Sequence, residues 1–416
     1  MFTRVHASLT PGVTMDHTRR ELLRKAVVTA LAASAPGILA SRVTLAAPAA
    51  GDARFVFVLL RGALDGLGAV PAVGDASYQA LRGELAMRDT SGLVALDDLF
   101  GLHPALSFMA EQWRARHLTV LHAVATPYRE RSHFDAQDVL ESGFSVPHAS
   151  RSGWLNRSLT AMSATAAARL PHNGVALGAG IPLVMRGAND VASWSPSRLP
   201  ELEEDTLQRL SDLYADDSLL SRRLADALAA NDMAGDMPGA VGGRGAAAQV
   251  VQTATTAAGF LKREDGPRVA VFETTGWDTH ANQGADKGAL SLRLATLDAG
   301  LRALRNELGP VWDRTVVLVA TEFGRTVALN GTRGTDHGTG AAAFLLGGAV
   351  SGGKVVADWP GLAPNALFEG RDLRPTTDLR SVMKSLLRDH LGLPRQFIDT
   401  AVFPDSAATP YLANLV

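Results

Sequence analysis

Short runs of apolar, β-branched residues recur along the chain and predict the strands of a buried sheet. Four runs are clear and a fifth is weaker: Phe55 to Leu60, Leu118 to Ala125, Val269 to Phe272, Thr315 to Ala320 and Phe344 to Leu346. Each is apolar throughout, as is typical of strands covered on both faces in a parallel sheet. Between the third and fourth runs, Lys287 to Leu308 carries leucines at spacings of three and four, which predicts a helix. The order strand, helix, strand indicates an α/β fold with a mostly parallel central sheet sandwiched by helices.

The rest of the pattern adds helices and one irregular segment. Pro104 to Arg116 and Thr376 to Leu391 are predicted to be helical, whereas residues 225–257 are rich in alanine and glycine. We expect this segment to be a mobile surface insertion, either a loop or an irregular helix pair. No internal repeat or domain linker interrupts residues 47–416, so we predict one domain there.

The N-terminal region is typical of a twin-arginine export signal. Arg19 and Arg20 precede an alanine-rich apolar stretch that runs from Ala26 to Ala46. Ser34, Pro36 and Arg42 interrupt it, unlike a bilayer-spanning helix of about 20 apolar residues. We therefore predict a removed signal over residues 1–46. The alternative is a chance arginine pair before an ordinary amphipathic segment.

This prediction has consequences for start, location and partners. Met15 lies four residues before the arginine pair, so residues 1–14 are expected to be a misassigned start, and cleavage is expected between Ala46 and Ala50. The twin-arginine translocase is then a partner during export, and the product is periplasmic or secreted, with no permanent membrane anchor.

Composition narrows the chemistry. The 416 residues carry a formal net charge of −2, so no basic excess points to nucleic acid, and 46% hydrophobic residues suffice for a large core. The chain has no cysteine, which excludes disulfides and thiolate chemistry. Any metal must therefore be held by oxygen and nitrogen ligands.

Candidate ligands follow the predicted strands. In open parallel sheets ligands bind beyond the carboxyl ends of the strands. Acids and histidines lie at those positions or in the glycine-rich segment that follows the fourth strand: Asp65, Asp278, His280, Glu322, Asp336 and His337. Carboxylate and imidazole groups suit zinc, and also manganese or magnesium. Two such cations can activate a nucleophile and neutralise charge on a phosphoryl or sulfuryl group.

Each candidate also has a structural alternative. Asp65 precedes a glycine and could belong to a turn, and Asp278 could be a helix N-cap beside a surface histidine. Asp336 could belong to a loop that forms hydrogen bonds within itself. Glu322 and Arg325 suit a salt bridge at a strand end. Joint placement at strand ends favours one shared site over several unrelated features.

Two arginines are candidates for substrate binding. Arg61 and Arg325 follow the first and fourth strands, where a guanidinium can bind an oxyanion through two hydrogen bonds. The alternative for each is a structural ion pair.

At these residues the sequence resembles the exported bacterial family known as domain of unknown function 1501, which is grouped with the alkaline phosphatase-like superfamily. The resemblance covers nearly the whole predicted mature chain. Five segments carry it: Leu60 to Gly66, Arg131 to Asp135, Gly153 to Arg157, Gly276 to His280 and Ala320 to Gly340.

The resemblance implies a mostly parallel sheet between helices and a two-metal site at its carboxyl edge. By this resemblance Asp65 is the first-strand ligand, Asp278 and His280 belong to one metal, and His337 is the late histidine ligand. Glu322 takes the place of the aspartate in an Asp-His pair, but Phe323 takes the place of the histidine. Asp336 with His337 then supplies the missing ligand, or only one metal binds, or none.

The superfamily also implies a serine or threonine nucleophile on a helix near the metals. Ser132 falls between the first and second metal motifs, and we predict it to be the nucleophile, deprotonated by direct metal coordination. The alternative is a helix N-cap, with Asp135 as the capping-box acid.

Two functions remain open from the sequence. One is an exported, metal-dependent hydrolase of phosphate or sulfate esters, with a small-molecule or polymer ester as substrate. The other is a non-catalytic exported binding or scaffold protein on a degenerate metallophosphatase-like fold. The sequence has no Gly-x-Ser-x-Gly elbow, P-loop or dinucleotide fingerprint, so serine hydrolase, NTPase and dehydrogenase functions are not indicated.

Overall fold

The structure is a computed structural model. It describes residues 53–88, 92–165, 173–195 and 245–416, together with residues 210, 213–214, 217–222 and 224–225. The predicted export signal lies outside the described residues and stays a prediction. Among the described residues, no helix is long and apolar enough to span a membrane.

A nine-stranded sheet forms the centre of the fold, and a separate pair of short strands lies apart from it. The strands in chain order are β1 Arg54–Arg61, β2 Val94–Ala95, β3 Gly101–Leu102, β4 Leu118–Ala125, β5 Gly174–Leu177, β6 Ala192–Trp194, β7 Val269–Thr275, β8 Thr315–Thr321, β9 Ala341–Leu346, β10 Lys354–Val356 and β11 Thr377–Asp378. The order across the sheet is β10-β4-β9-β8-β1-β7-β5-β6, and β11 also pairs with β4. β2 and β3 form the separate antiparallel pair.

Strand β1 lies at the middle of the sheet and is parallel to both neighbours. Phe55 is in register with Val269 of β7 and with Val316 of β8. Side chains of β1 enter two different cores, with Val56 on one face and Phe57 on the other. This double burial explains the continuous apolar run and confirms the predicted fold class.

Strand β9 is the exception, because it pairs antiparallel with both β8 and β4. The chain between β8 and β9 contains no helix that would carry it back to the opposite edge. It therefore enters β9 at the same edge where β8 ends. The loop of residues 322–340 is thus held at the carboxyl edge of the parallel strands.

Helices cover both faces of the sheet. In chain order they are α1 Gly66–Ala69, α2 Tyr78–Arg82, α3 Ser107–Arg114, α4 His133–Ser142, α5 Trp154–Thr165, α6 Ala246–Lys262, α7 Ala289–Leu308, α8 Leu379–Asp389 and α9 Arg395–Phe397. Short 3-10 turns cover Gly83–Leu85, Leu183–Met185 and Gly309–Arg314, and a π-helical turn covers Ile398–Val402. The three helices predicted from periodicity correspond to α3, α7 and α8.

The predicted alanine-rich insertion needs a correction. Residues 226–244 lie outside the described residues, but Ala246–Lys262 is a regular helix and not a mobile loop or an irregular pair. Ala254, Ala257 and Ala258 are fully buried on one side of α6. Alanine is the strongest helix former, and its small side chain allows close packing, as where Ala254 faces Gly300 of α7. The small side chains of α6 therefore allow this helix to pack closely against α7.

Close backbone approaches bring the carboxyl-edge loops together. Gly62 has φ +119°, and a Cβ placed on it would lie 2.7 Å from the backbone nitrogen of Asp278. Arg325 and His337 form an antiparallel bridge, and a Cβ on Gly338 would lie 2.4 Å from the carbonyl carbon of Arg325. These loops can meet only because glycine has no side chain.

Candidate metal centre

Three connections at the carboxyl edge bring their polar side chains to one place. His133 begins helix α4 after β4, and Asp278 and His280 follow β7. Glu322 follows β8 directly, and His337 lies in the loop that leads into β9. The sheet order places β4, β9 and β8 side by side, with β1 between β8 and β7.

His133 and His280 each direct their Nε2 at the Nε2 of His337. His337 Nε2 lies 3.0 Å from His133 Nε2 and 3.1 Å from His280 Nε2. Asp278 Oδ1 lies 3.0 Å from His280 Nε2 and 3.3 Å from His337 Nε2, and Asp278 Oδ2 lies 3.5 Å from His133 Nε2. Ligand atoms of His133, Asp278 and His337 all lie within 4.8 Å of one another. We name His133, Asp278, His280 and His337 the histidine cluster.

The opposite nitrogen of each ring has an oxygen partner. His133 Nδ1 lies 2.8 Å from Glu322 Oε1, and His280 Nδ1 lies 3.1 Å from Asp336 Oδ1. His337 Nδ1 lies 3.0 Å from the carbonyl oxygen of Arg131. A carbonyl or carboxylate oxygen can only accept, so each of these contacts is a hydrogen bond in the tautomer that carries its hydrogen on Nδ1. In that tautomer each neutral ring directs its Nε2 lone pair into the cluster.

The Nε2 lone pair of His337 faces those of His133 and His280 at about 3 Å, and such lone pairs repel unless a cation or a proton lies among them. Orientation of a ligating histidine by an oxygen acceptor on its other nitrogen is the usual arrangement around protein-bound metals. The donor set of three imidazoles and one carboxylate, without thiolate, suits zinc and other divalent ions of intermediate softness. The residues present therefore fit a divalent metal.

The electrostatics of the cluster combine burial with ion pairing. The hydrogen bond to Glu322 raises the pKa of His133 above its ordinary value, although burial opposes this. Burial lowers the pKa of His337, and the nearby His133 adds to that effect. Burial acts to raise the pKa of Asp278, but the Arg325 guanidinium outweighs it and holds this pKa below its ordinary value. Asp278 is thus a charged carboxylate.

The cluster is open to solvent on one side. The side chains of Asp278 and His280 are 41% and 44% exposed, whereas that of His133 is 22% exposed. A site with this exposure is accessible to a substrate as well as to an ion.

The structure engages Asp65 elsewhere. Its Oδ2 pairs with Arg82 and accepts a hydrogen bond of 2.6 Å from Gln283 Nε2. The side chains of Asp65 and Arg82 are 2% and 0% exposed. This contact is a buried ion pair, and the role of Asp65 as a metal ligand stays a prediction.

Glu322 and Asp336 lie next to the cluster, each behind a histidine. Glu322 Oε1 accepts hydrogen bonds from the backbone nitrogen of Gly62 at 2.8 Å and from Gln137 Nε2 at 3.1 Å, in addition to His133. Asp336 also accepts from Asn330 Nδ2 at 2.9 Å. The geometry gives both carboxylates the position of ring-orienting partners, so that Asp278 is the carboxylate that faces the three Nε2 atoms.

The two arginines form ion pairs. The side chain of Arg325 is 0% exposed, and it pairs with Asp278 and contacts Thr335, not Glu322. Arg61 Nη1 lies 2.8 Å from Glu141 Oε1, and its Nε contacts Glu273. These contacts agree with the alternative that each arginine forms a structural ion pair. Oxyanion binding by either arginine stays a prediction.

Ser132 lies at the N-cap position of α4, immediately before His133. Its backbone is extended, with φ −91° and ψ 123°, but its side chain makes no capping hydrogen bond. The position agrees with the N-cap alternative, but the cap hydrogen bond itself is absent, and the Ser132 side chain contacts Tyr128 instead. Its role as nucleophile stays a prediction.

The sequence analysis did not propose His133 as a ligand. The residue lies in the Arg131 to Asp135 segment, in which only its neighbour Ser132 was predicted to have a role, as the nucleophile. The signal that could have found it is its position: it is the first histidine after the β4 run, near the carboxyl end of a buried strand.

Fold and site together define an α/β protein with a candidate metal centre at the carboxyl edge of its sheet. The chain belongs to the family described as "Protein of unknown function (DUF1501)", whose model matches residues 121–402. The matched span includes all four residues of the histidine cluster, and it confirms the predicted family. No curated protein matches the chain.

Several solved structures are similar to the chain. One is the phosphonate monoester hydrolase of Agrobacterium radiobacter, at 13% identity and a TM-score of 0.37, covering 82% of this chain and 74% of that chain. Another is the C-terminal periplasmic domain of EcEptC from Escherichia coli in complex with Zn, at 9% identity and a TM-score of 0.34, covering 72% and 74%. At these TM-scores the likenesses carry no argument about activity.

Proposed function

We propose that the protein is a metal-dependent hydrolase of phosphate or sulfate esters, with one divalent ion, most simply zinc, held by the histidine cluster. The convergence of three Nε2 atoms beside one carboxylate carries this proposal. A bound divalent ion supplies Lewis acidity to an ester oxygen and lowers the pKa of a hydroxyl or water next to it.

One ion fits the charges better than two. A second ion needs further carboxylates, but Asp65 is paired with Arg82, and Glu322 and Asp336 hold histidine rings. With a divalent ion bound, the cluster contains two positive charges from the ion and one negative charge from Asp278. That carboxylate also pairs with the positive Arg325. This leaves net positive charge for an anionic ester group, as phosphate and sulfate require.

The chain's own residues have distinct tasks in this proposal. His133, His280 and His337 bind the ion through Nε2, and their Nδ1 partners hold the rings in place. Ser132 lies at the solvent-accessible start of α4, beside His133, where its hydroxyl can attack a bound ester. Arg325 keeps Asp278 charged and oriented.

The test begins with metal content. Full-length protein purified without chelator is expected to contain about one zinc per chain, and His133→Ala and His280→Ala are expected to lose it. His148→Ala is the matched control, since this histidine is 73% exposed and pairs with Asp135 and Asp138, outside the cluster. Wild-type protein without stoichiometric metal contradicts the proposal.

Hydrolysis is tested next with 4-nitrophenyl phosphate, bis(4-nitrophenyl) phosphate and 4-nitrophenyl sulfate. Ser132→Ala is expected to keep the metal and lose turnover, which separates the nucleophile from the ligands. Turnover that survives both Ser132→Ala and His133→Ala would place the active site elsewhere. Bound metal without turnover of any ester would favour the non-catalytic binding function.

A further inference from the structure

We propose that Asp372 is a positioning residue for the metal ligand His337, acting through two arginines. This inference rests on the proposed function, because it assigns to Asp372 the task of holding one ligand of the histidine cluster. No sequence pattern singled out Asp372, and it lies in a turn between β10 and β11.

The first connection runs through Arg131. Asp372 is fully buried, and its Oδ2 accepts a hydrogen bond of 2.8 Å from Arg131 Nε. The carbonyl oxygen of the same arginine accepts the Nδ1 hydrogen of His337 at 3.0 Å. The carboxylate is thus two contacts away from the ring that would bind the metal.

Arg131 needs such an anchor because its backbone is strained. Its φ is +61°, in the left-handed region, which residues with a side chain adopt only at an energetic cost. Residues keep such a conformation only where their surroundings enforce it. The ion pair with Asp372 is the buried part of that enforcement, while Glu369, which also pairs with Arg131, is 56% exposed.

The second connection runs through Arg371. Its Nε lies 3.1 Å from Asp372 Oδ1, and its Nη2 donates to the backbone carbonyl oxygen of His337 at 2.5 Å. Asp372 therefore acts on His337 from two sides, on the ring side through a hydrogen bond to Arg131 and on the backbone side through an ion pair with Arg371 that is not a hydrogen bond. This one buried carboxylate contacts both arginines that hold His337, so its role includes positioning that ligand as well as neutralising their charge.

The test compares Asp372→Asn with Asp298→Asn. Asn keeps the size of the side chain and removes the charge that orders the two arginines. Asp298 is a matched control because it is 4% exposed and accepts from the backbone nitrogens of Phe108 and Met109, in another part of the fold. Both variants are full-length, and their folding is checked by thermal unfolding.

The first measurement is the zinc dissociation constant, determined by competition with a chromophoric chelator. Loss of an outer partner of a metal ligand typically costs about 10- to 100-fold in affinity, and we expect about 10-fold for Asp372→Asn because it acts through the arginines. Asp298→Asn is expected to bind zinc like the wild type. Equal zinc affinity in all three folded proteins overturns the proposal.

The second measurement uses the metal-free protein, so it does not depend on the proposed function. Nitrogen-15 NMR of the histidine rings reports which nitrogen carries the hydrogen. His337 is expected to be the Nδ1-protonated form in the wild type and a mixture of both forms in Asp372→Asn. His280 is the internal control, because Asp336 holds its Nδ1 independently.

The two measurements separate the possible failures. Wild-type protein that binds no zinc contradicts the proposed function, while the His337 ring signal still decides the positioning role. A His337 signal that is the same in Asp372→Asn and wild type overturns the positioning role, even if zinc binds. A signal that changes equally in Asp298→Asn assigns the effect to general destabilisation and also overturns it.

Discussion

Replacing Glu322 by glutamine tests whether the histidine cluster depends on the charge behind His133. Glu322 is 1% exposed, and its Oε1 accepts hydrogen bonds of 2.8 Å from both His133 Nδ1 and the backbone nitrogen of Gly62. Its Oε2 lies 2.9 Å from the hydroxyl oxygen of Thr321, whose single hydrogen is shared between Oε2 and the carbonyl oxygen of Leu60. A glutamine keeps the first acceptor, and its amide donates to the Thr321 hydroxyl. The substitution thus removes charge and preserves the hydrogen bonds.

The magnitude follows from the change of the His133 hydrogen bond from a charged to a neutral acceptor. A bond to a charged partner contributes about 1.5–3 kcal/mol and a neutral one about 0.5–1.5 kcal/mol, so the loss is about 1–1.5 kcal/mol. Since about 1.36 kcal/mol is tenfold in an equilibrium constant, the zinc dissociation constant is expected to rise about 5- to 13-fold. This lies at the lower end of the range known for partners of metal ligands.

The assay is a zinc competition titration at pH 8, above the ordinary histidine pKa of about 6.5. Glu273→Gln is the control, because Glu273 pairs with Arg61 and its side chain is 39% exposed. A folded Glu322→Gln protein with wild-type zinc affinity would refute the reasoning. An equal loss of affinity in Glu273→Gln would refute it as well, since general surface charge would then be the cause.

Three further predictions concern stability. Asp65→Ala leaves Arg82 as an unpaired charge in the interior, so it is expected to lower the free energy of unfolding by about 3–5 kcal/mol in urea titrations. Its zinc affinity is expected to be unchanged. Loss of zinc binding with unchanged stability would instead make Asp65 a metal ligand. Burial lowers the pKa of His122 from 6.5 to about 4, so the unfolded chain takes up the proton first as pH falls, and stability present above pH 6.5 is lost down to pH 4. This group contributes at most about 3.4 kcal/mol, and His122→Gln should flatten the pH dependence of unfolding, whereas an unchanged slope would exclude His122 as its source. Removal of metal by EDTA is expected to lower the melting temperature, by an amount corresponding to about 4 kcal/mol at a thousandfold excess of metal over its dissociation constant; an unchanged melting temperature would contradict metal binding to the native state.

The sequence predicted the centre of the fold because the relevant signals are local. Five strand runs and the leucine-rich helix α7 were evident since each buries its own side chains against a large core. The short strands β5 and β6, with four and three residues, give no comparable signal. The place of β5 in the sheet depends on pairing with β7, and that of β6 on pairing with β5, and both are tertiary properties.

Ion-pair partners could not be predicted in the same way. Glu322 and Arg325 are three residues apart, which suggested a pair between them. In the structure the chain turns after β8, so that Arg325 bridges to His337 and its guanidinium reaches Asp278. Proximity along the chain was a poor guide here because the loop folds back on itself.

The orientation of the histidine cluster depends on the completed sheet. His133 follows β4 but is held by Glu322 after β8, and His280 follows β7 but is held by Asp336 before β9. His337, before β9, is held by the carbonyl of Arg131 after β4. Each ring is therefore fixed by a different connection from its own, and the three Nε2 atoms converge only when β4, β9, β8 and β7 occupy their places. A motif in one segment can supply a ligand, but the direction in which that ligand points is a property of the whole carboxyl edge.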